Sequence, residues 1–259
     1  MPTLLLSPRQ TEDAQQLWQA CITEKWQVTR AHGWRVPDIP PEEVVVYGEP
    51  LFALHVAQTL GLRLQEPPVD WLPRLPLRWR GREVRLTTLA EARAVSARSF
   101  IKPAEEKCFE ARVYASGAEL PSPGPLPESL PVLVQEVVDW STEFRCFVAD
   151  RKVETVSAYW RGGQPAKTED GLWTASDTEL ERARHFCESV LNDSSVPVPE
   201  AVAMDVGVIQ NRGWAVIECN AAWGAGIYGC DPVAVLRVLR RACSPLLPRR
   251  ATDTKPQGQ

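Results

Sequence analysis

The sequence predicts a small N-terminal α/β unit followed by a larger α+β body. Three observations lead there. Residues 3–60 alternate short apolar runs with helical spacing, the pattern of parallel strands joined by crossover helices. From Ser99 the pattern turns to β, with runs at 99–103, 111–115, 131–138, 144–148 and 153–160. A helix at 178–191 and strands at 201–209 and 214–219 follow, and Asp231-Pro232 opens a last helix. The expected division is an N-terminal unit over 1–90, a body over 91–242 with a hinge near 135–139, and a disordered tail over 243–259.

Each element has a local reason. Thr3 to Leu6 reads as a strand. Ser7-Pro8-Arg9-Gln10 then reads as a helix start, with a capping Ser, Pro at the first position and Gln three residues on. Leu17, Trp18, Cys21, Ile22 and Trp26 follow at helical spacing. Val44 to Gly48 is a buried strand, and Pro50 to Leu60 a helix stopped by Gly61. Segment 65–80, rich in Pro and Trp, reads as a connector or cover loop. Thr88-Leu89-Ala90-Glu91 is a capping box. Loop 117–130 carries Pro121, Pro123, Pro125 and Pro127 and is expected to be exposed. Leu180, Ala183, Phe186, Cys187 and Val190 give the 178–191 helix one apolar face.

Composition excludes several classes. Lys and Arg number 29 against 33 Asp and Glu, a net charge of −4, which argues against a sequence-blind grip on nucleic acid. The basic, aromatic run Arg78-Trp79-Arg80-Gly81-Arg82 reads as part of the cover loop, and no nucleic acid partner is expected. The seven cysteines form no C-x-x-C pair and read as reduced, buried side chains. No apolar run approaches the roughly 18 residues of a membrane span, so no membrane partner is expected and the cytoplasm is the default location.

The chemistry concentrates in Ala201 to Asn220. Asn211-Arg212-Gly213 turns the chain between two strands. Alternation places Ala203, Asp205 and Gly207 on one face, and Glu218 with Asn220 on one face of the return strand. A loop of two or four residues brings the two sets onto the same face. A loop of three splits them unless it carries a bulge. The same-face register is the expectation. Two carboxylates and a carboxamide make an all-oxygen site suited to Mg²⁺, and the small Ala203 and Gly207 leave room for a bulky anion. Three further elements join this one. Phe100-Ile101-Lys102-Pro103 aims an ammonium from a strand. Glu136, Val137 and Val138 lie where one β segment passes into the next, with backbone groups able to meet an adenine edge. Glu143 and Arg145 share a strand face, as an ion pair or a phosphate clamp.

In this order the set resembles the ATP-grasp superfamily over about residues 90–242. The matching motifs are the Phe-x-Lys-Pro strand, a Glu hinge, an acid-x-Arg strand, then Asp followed by Glu-x-Asn. The ending Asn220-Ala-Ala-Trp-Gly-Ala-Gly-Ile-Tyr-Gly-Cys-Asp-Pro232 is similar to bacterial ATP-grasp domain proteins. The resemblance implies an ATP-grasp fold, two α+β subdomains gripping ATP. It implies that Lys102 binds the α/β-phosphates, Glu136, Val137 and Val138 the adenine, and Arg145 the γ-phosphate, with Glu143 beside it. Asp205, Glu218 and Asn220 hold Mg²⁺, one ion or two. The implied activity is an ATP-dependent carboxylate–amine or carboxylate–thiol ligase working through an acyl phosphate, with small-molecule or peptide substrates. The alternatives are a nucleotide-binding module without ligation and a kinase-like phosphotransferase. Trp223 to Gly226 would cradle the transferring group. One departure is plain: the usual phosphate Lys ahead of Phe-x-Lys-Pro is missing, since no Lys lies between residues 26 and 101, and Arg85, Arg93 and Arg98 are the cations on offer.

Overall fold

The computed structural model describes residues 1–105 and 107–246. The N-terminal unit comprises β1 (Thr3–Leu6), α1 (Glu12–Thr23), β2 (Gln27–Arg30), β3 (Val44–Tyr47), α2 (Pro50–Leu60) and β4 (Leu62–Leu64). Its sheet runs β2-β1-β3 and is wholly parallel, with β1 and β3 buried along their length. Helix α1 starts later than its sequence suggests. Ser7 still donates its backbone N–H to Tyr47 in the sheet, and Thr11 is the cap, accepting from Ala14 at 3.1 Å. Gly61 ends α2 in the left-handed conformation, φ 65°.

Segment 65–80 folds into two short turns, α3 (Trp71–Arg74) and α4 (Leu77–Arg80). Their indole nitrogens pin them, Trp71 donating to Pro197 O at 2.5 Å and Trp79 to Asp193 Oδ2 at 2.7 Å. Next come β5 (Val84–Thr88), α5 (Leu89–Arg93), β6 (Ser99–Pro103), β7 (Arg112–Tyr114) and β8 (Pro131–Gln135), with sheet order β5-β8-β6-β7. This sheet starts at Val84, ahead of the boundary expected at residue 90. It buries Leu89, Ile101, Tyr114 and Val132 in a small core of its own. Leu126 and Leu130 pack on that core, so loop 117–130 is tethered rather than free.

The larger sheet contains β9 (Trp140–Ala149), β10 (Lys152–Arg161), β11 (Gln164–Pro165), β12 (Ala201–Ile209) and β13 (Gly213–Asn220) in the order β11-β10-β9-β12-β13. Helix α6 (Asp177–Asn192) follows β11 in the chain, and α7 (Pro232–Ala242) follows β13. Alternation decides what each face meets. Phe144, Cys146, Val148, Val202 and Met204 pack with Ala183, Cys187 and Val190 of α6. Phe147, Ala149, Ala201 and Ala203 pack with Val235 and Leu239 of α7, in a core continuous with the N-terminal unit. Strand β14 (Cys243–Pro245) then pairs with β4. The expected tail therefore begins as a strand, and its residues 247–259 lie outside the described residues. All seven cysteines are free.

Candidate functional site

The β12–β13 hairpin has a three-residue connection, Gln210 to Arg212, and Ile209 pairs with Gly213. That register runs through Gly207 with Ala215 and Val206 with Val216. Continued, it would set Asp205 opposite Ile217 and send Glu218 to the α6 face. A bulge at Ile217 shifts the ladder by one residue, so that Asp205 pairs with Glu218 and Ala203 with Asn220. The same-face arrangement is thus reached through the bulge. Cys219 turns to the α6 core. Gly207 does not leave room for a ligand as expected. A Cβ there would stand 2.8 Å from Thr142 O, 2.9 Å from Ile217 Cδ1 and 3.0 Å from the Trp140 ring, so protein already fills that space.

On β9, Arg145 is the ladder partner of Asp205. Its Nε and Nη2 donate to the two Asp205 oxygens at 2.8 and 2.7 Å, a bidentate pair. The residues are 5% and 1% exposed, so this is a buried pair. Arg145 Nη1 donates to Gly226 O at 2.8 Å, and the guanidinium lies 4.7 Å from the centroid of the Tyr228 ring. Three of its five donors are therefore held by protein, a tighter engagement than a free phosphate clamp. Burial pushes the Asp205 carboxyl up to about 6; Arg145 opposes the shift and Glu218 adds to it.

Lys102 reaches across from β6. Its ammonium bonds Glu218 Oε2, joining the small sheet to the large one over the cleft between them. Asn220 Nδ2 donates to Glu218 Oε1 at 2.9 Å. Burial works against the Glu218 charge, but the Lys102 ammonium outweighs it and holds the carboxyl down to about 2. Glu143 stands beside them and accepts from the Tyr159 hydroxyl at 2.6 Å. Burial raises its pKa, with Asp205 and Glu218 adding to the rise. One cluster thus gathers Lys102, Glu143, Arg145, Asp205, Glu218 and Asn220.

Glu136 sits apart, at the β8–β9 junction. It accepts from Arg212 Nη2 at 2.6 Å and from the Glu83 backbone N–H at 3.1 Å. Glu136 N and Asp139 O are bonded within the protein, whereas the main chain of Val137 and Val138 makes no hydrogen bond among the described residues. That leaves a donor and an acceptor edge open at the junction.

Of the three upstream arginines, none joins the cluster. Arg85 and Arg98 are exposed, and Arg93 bonds Pro121 O and Glu128 at the far side of the small sheet. The buried upstream cation is Arg82, inside the run read as a cover loop. Asp13 is a second residue that the sequence did not mark. From the start of α1 its Oδ2 accepts from Ile227 N at 3.1 Å and lies 3.1 Å from the Tyr47 hydroxyl, which is 3.0 Å from Ala225 O. It fixes the loop that follows β13. Its only sequence signal is an acid at a helix start, which dipole and capping effects explain equally well.

Among the described residues no three His, Cys, Asp or Glu side chains gather to hold a metal. The donor set is two carboxylates and one carboxamide, all oxygen, which fits Mg²⁺ completed by water and phosphate. Lys102 and Arg145 supply the positive charge that the acids require in this state.

The family model described as an ATP-grasp domain, clade family 2, matches residues 79–238. Among solved structures, the ATP-grasp ligase PsnB complexed with minimal precursor is similar in fold, at 13% identity and a TM-score of 0.51, covering 93% of this chain and 99% of that one. The D-alanyl-alanine synthetase A of Vibrio cholerae matches at 12% identity and a TM-score of 0.51, with 92% and 98% covered. N5-carboxyaminoimidazole synthase of Aspergillus clavatus matches at 11% and 0.51, with 95% and 78% covered. No protein of curated function matches in sequence. Two sheets facing across a cleft, a strand lysine on one and an acid-rich hairpin on the other, accompany a family match over most of the chain: the protein belongs to the ATP-grasp superfamily.

Proposed function

We propose that the cleft binds Mg-ATP and that the protein is an ATP-dependent ligase joining a carboxylate to an amine or thiol. One observation carries the reading: Lys102 of the small sheet and Glu218 of the large sheet meet across the cleft, beside Asn220 and the Arg145–Asp205 pair. A polyphosphate entering there replaces Glu218 as the partner of Lys102, and Glu218 and Asn220 turn their oxygens to a metal. Mg²⁺, when bound, offsets phosphate charge and fixes the phosphate oxygens. The open main chain at Val137 and Val138 takes the adenine edge, with Glu136 beside it.

The chain's own part is position and charge. Lys102 holds phosphate oxygens. Arg145 sets the Gly226 carbonyl and keeps positive charge next to the transferring group. Asp13 and Tyr47 hold residues 225–227 as the floor for the acceptor. A substrate carboxylate oxygen attacks the γ-phosphorus, and ADP leaves. The amine or thiol then attacks the acyl carbon, phosphate leaves, and the nucleophile's proton passes to solvent or phosphate. Relatives in fold include proteins described as a ligase and as synthases, the class proposed here.

Glu218→Gln and Lys102→Met are expected to weaken Mg-ATP binding about tenfold or more by calorimetry. Wild-type affinity in both variants would rule out the site. ADP release that depends on an added amino acid or peptide, with an acyl hydroxamate trapped by hydroxylamine, is the expected mark of ligation. A phosphorylated product with no hydroxamate would point to phosphotransfer, and binding without turnover to a nucleotide-binding module.

A further inference from the structure

We propose that Arg82 is the positioning residue of this site: it clamps the β13 bulge to the end of β8, and so holds Glu218 and Asn220 on the ligand face. The inference rests on reading the cleft as a Mg-nucleotide site. The need for a clamp follows from the hairpin. Its three-residue loop favours the register that turns Glu218 away from Asp205, and only the extra residue at Ile217 restores the alignment. A bulge leaves ladder groups without partners, so it is a weak point unless another group satisfies them.

Arg82 does this from one guanidinium. Nη1 donates to Val216 O at 2.8 Å and Nη2 to Ile217 O at 2.9 Å, the two carbonyls at the bulge. Nε and Nη2 donate to Gln135 Oε1 at 3.1 and 2.8 Å. Nη1 also donates to Arg80 O at 3.0 Å. Those contacts occupy all five N–H donors, so Arg82 has none left for a phosphate and does not replace the missing upstream Lys. Its plane lies 5.0 Å from the Trp140 ring centroid, and the residue is 3% exposed. Trp140 and Ile217 are also the side chains that crowd Gly207. Arg82, Trp140, Ile217 and Gly207 therefore form one packed unit beneath the acids. Gln135 is the last residue of β8, directly before Glu136, Val137 and Val138. One side chain thus sets the distance between the metal-facing strand and the adenine-facing junction. Lysine cannot do the same, because a single ammonium lacks the planar fork.

The test is a Mg²⁺ titration of binding of a fluorescent N-methylanthraniloyl-ATP, repeated in EDTA. Arg82→Lys is expected to raise the half-saturating Mg²⁺ concentration on the order of 10–100-fold, as when groups that orient metal ligands are lost, with metal-free affinity changed less than about twofold. Gln135→Leu is expected to shift the titration in the same direction by less. Gln135→Glu keeps the acceptor and is expected to restore it. If Arg82→Lys does not fold, the two Gln135 variants decide. An unchanged Mg²⁺ response in every variant, or an equal loss with and without metal, overturns the positioning role. Wild-type protein that binds the nucleotide without any response to Mg²⁺ overturns the reading of the cleft itself, and shows this before any substitution is made.

Discussion

Two ion pairs a few residues apart have different duties, and burial separates them. Arg145 and Asp205 are shut from water, so removing one partner strands a charge inside the protein. Asp205→Ala is expected to cost about 3–5 kcal/mol, read as a lower urea midpoint at unchanged slope. Lys102 and Glu218 keep 21% and 29% side-chain exposure at the cleft. Lys102→Met is expected to change stability by no more than about 1 kcal/mol while weakening nucleotide binding. The sequence named all four residues, because acids and bases inside apolar strands stand out. It could not rank them. Arg145 looked like a phosphate ligand, and only the ladder pairing of β9 with β12 shows it bound to Asp205. Arg82 was passed over because Arg78 to Arg82 reads as surface charge, and nothing local reveals that its fifth residue is buried against a bulge 134 residues away.

Caps and turns decide outcomes at the level of elements. Helix α6 opens on a full capping box, with Ser176 and Glu179 each accepting from the other's backbone N–H. Glu179 also bonds Arg161 at 2.6 Å, which with the Ser176 N–H draws its pKa from 4.5 down to about 2. A carboxyl lowered on folding stabilises the protein above its unfolded value, and that stability is lost as pH falls. The stability gap between wild type and Glu179→Gln is expected to reach about 1 kcal/mol at neutral pH and to close between about pH 4.5 and pH 2, by urea melts across that range. The α1 cap shows the opposite limit. Ser7 and Thr11 are both good caps, and the sheet bond from Ser7 to Tyr47 selects Thr11. The hairpin is the sharpest case. Alternation gives each strand's faces, but the relation between the strands depends on one bulge residue, and a bulge at Ile217 has no local signature.

In the whole molecule the two sheets have separate cores, joined by the β8–β9 crossing, the Arg82 clamp and the Lys102–Glu218 bridge. A ligand that contacts both sheets is expected to stabilise the fold by mass action, about 2.7 kcal/mol at a hundred times its Kd. Hydrogen exchange should slow most in β6, β13 and residues 136–138. Protection confined to one sheet would speak against a nucleotide bound between them. The N-terminal unit shares its core with α7 and the large sheet, so Asp13 and Tyr47 reach the loop after β13 from a rigid base.

The sequence by itself determined the kinds of element, most of their limits, and the residue types of the cleft, because periodicity, caps and misplaced charges are local properties of the chain. Only the tertiary structure decided that Arg145 is spent on Asp205, that Glu218 reaches the ligand face through a bulge, and that Arg82 and Asp13 brace the site. Those outcomes depend on which distant groups satisfy each other's hydrogen bonds and charges once water is excluded, and that matching exists only when the strands are paired.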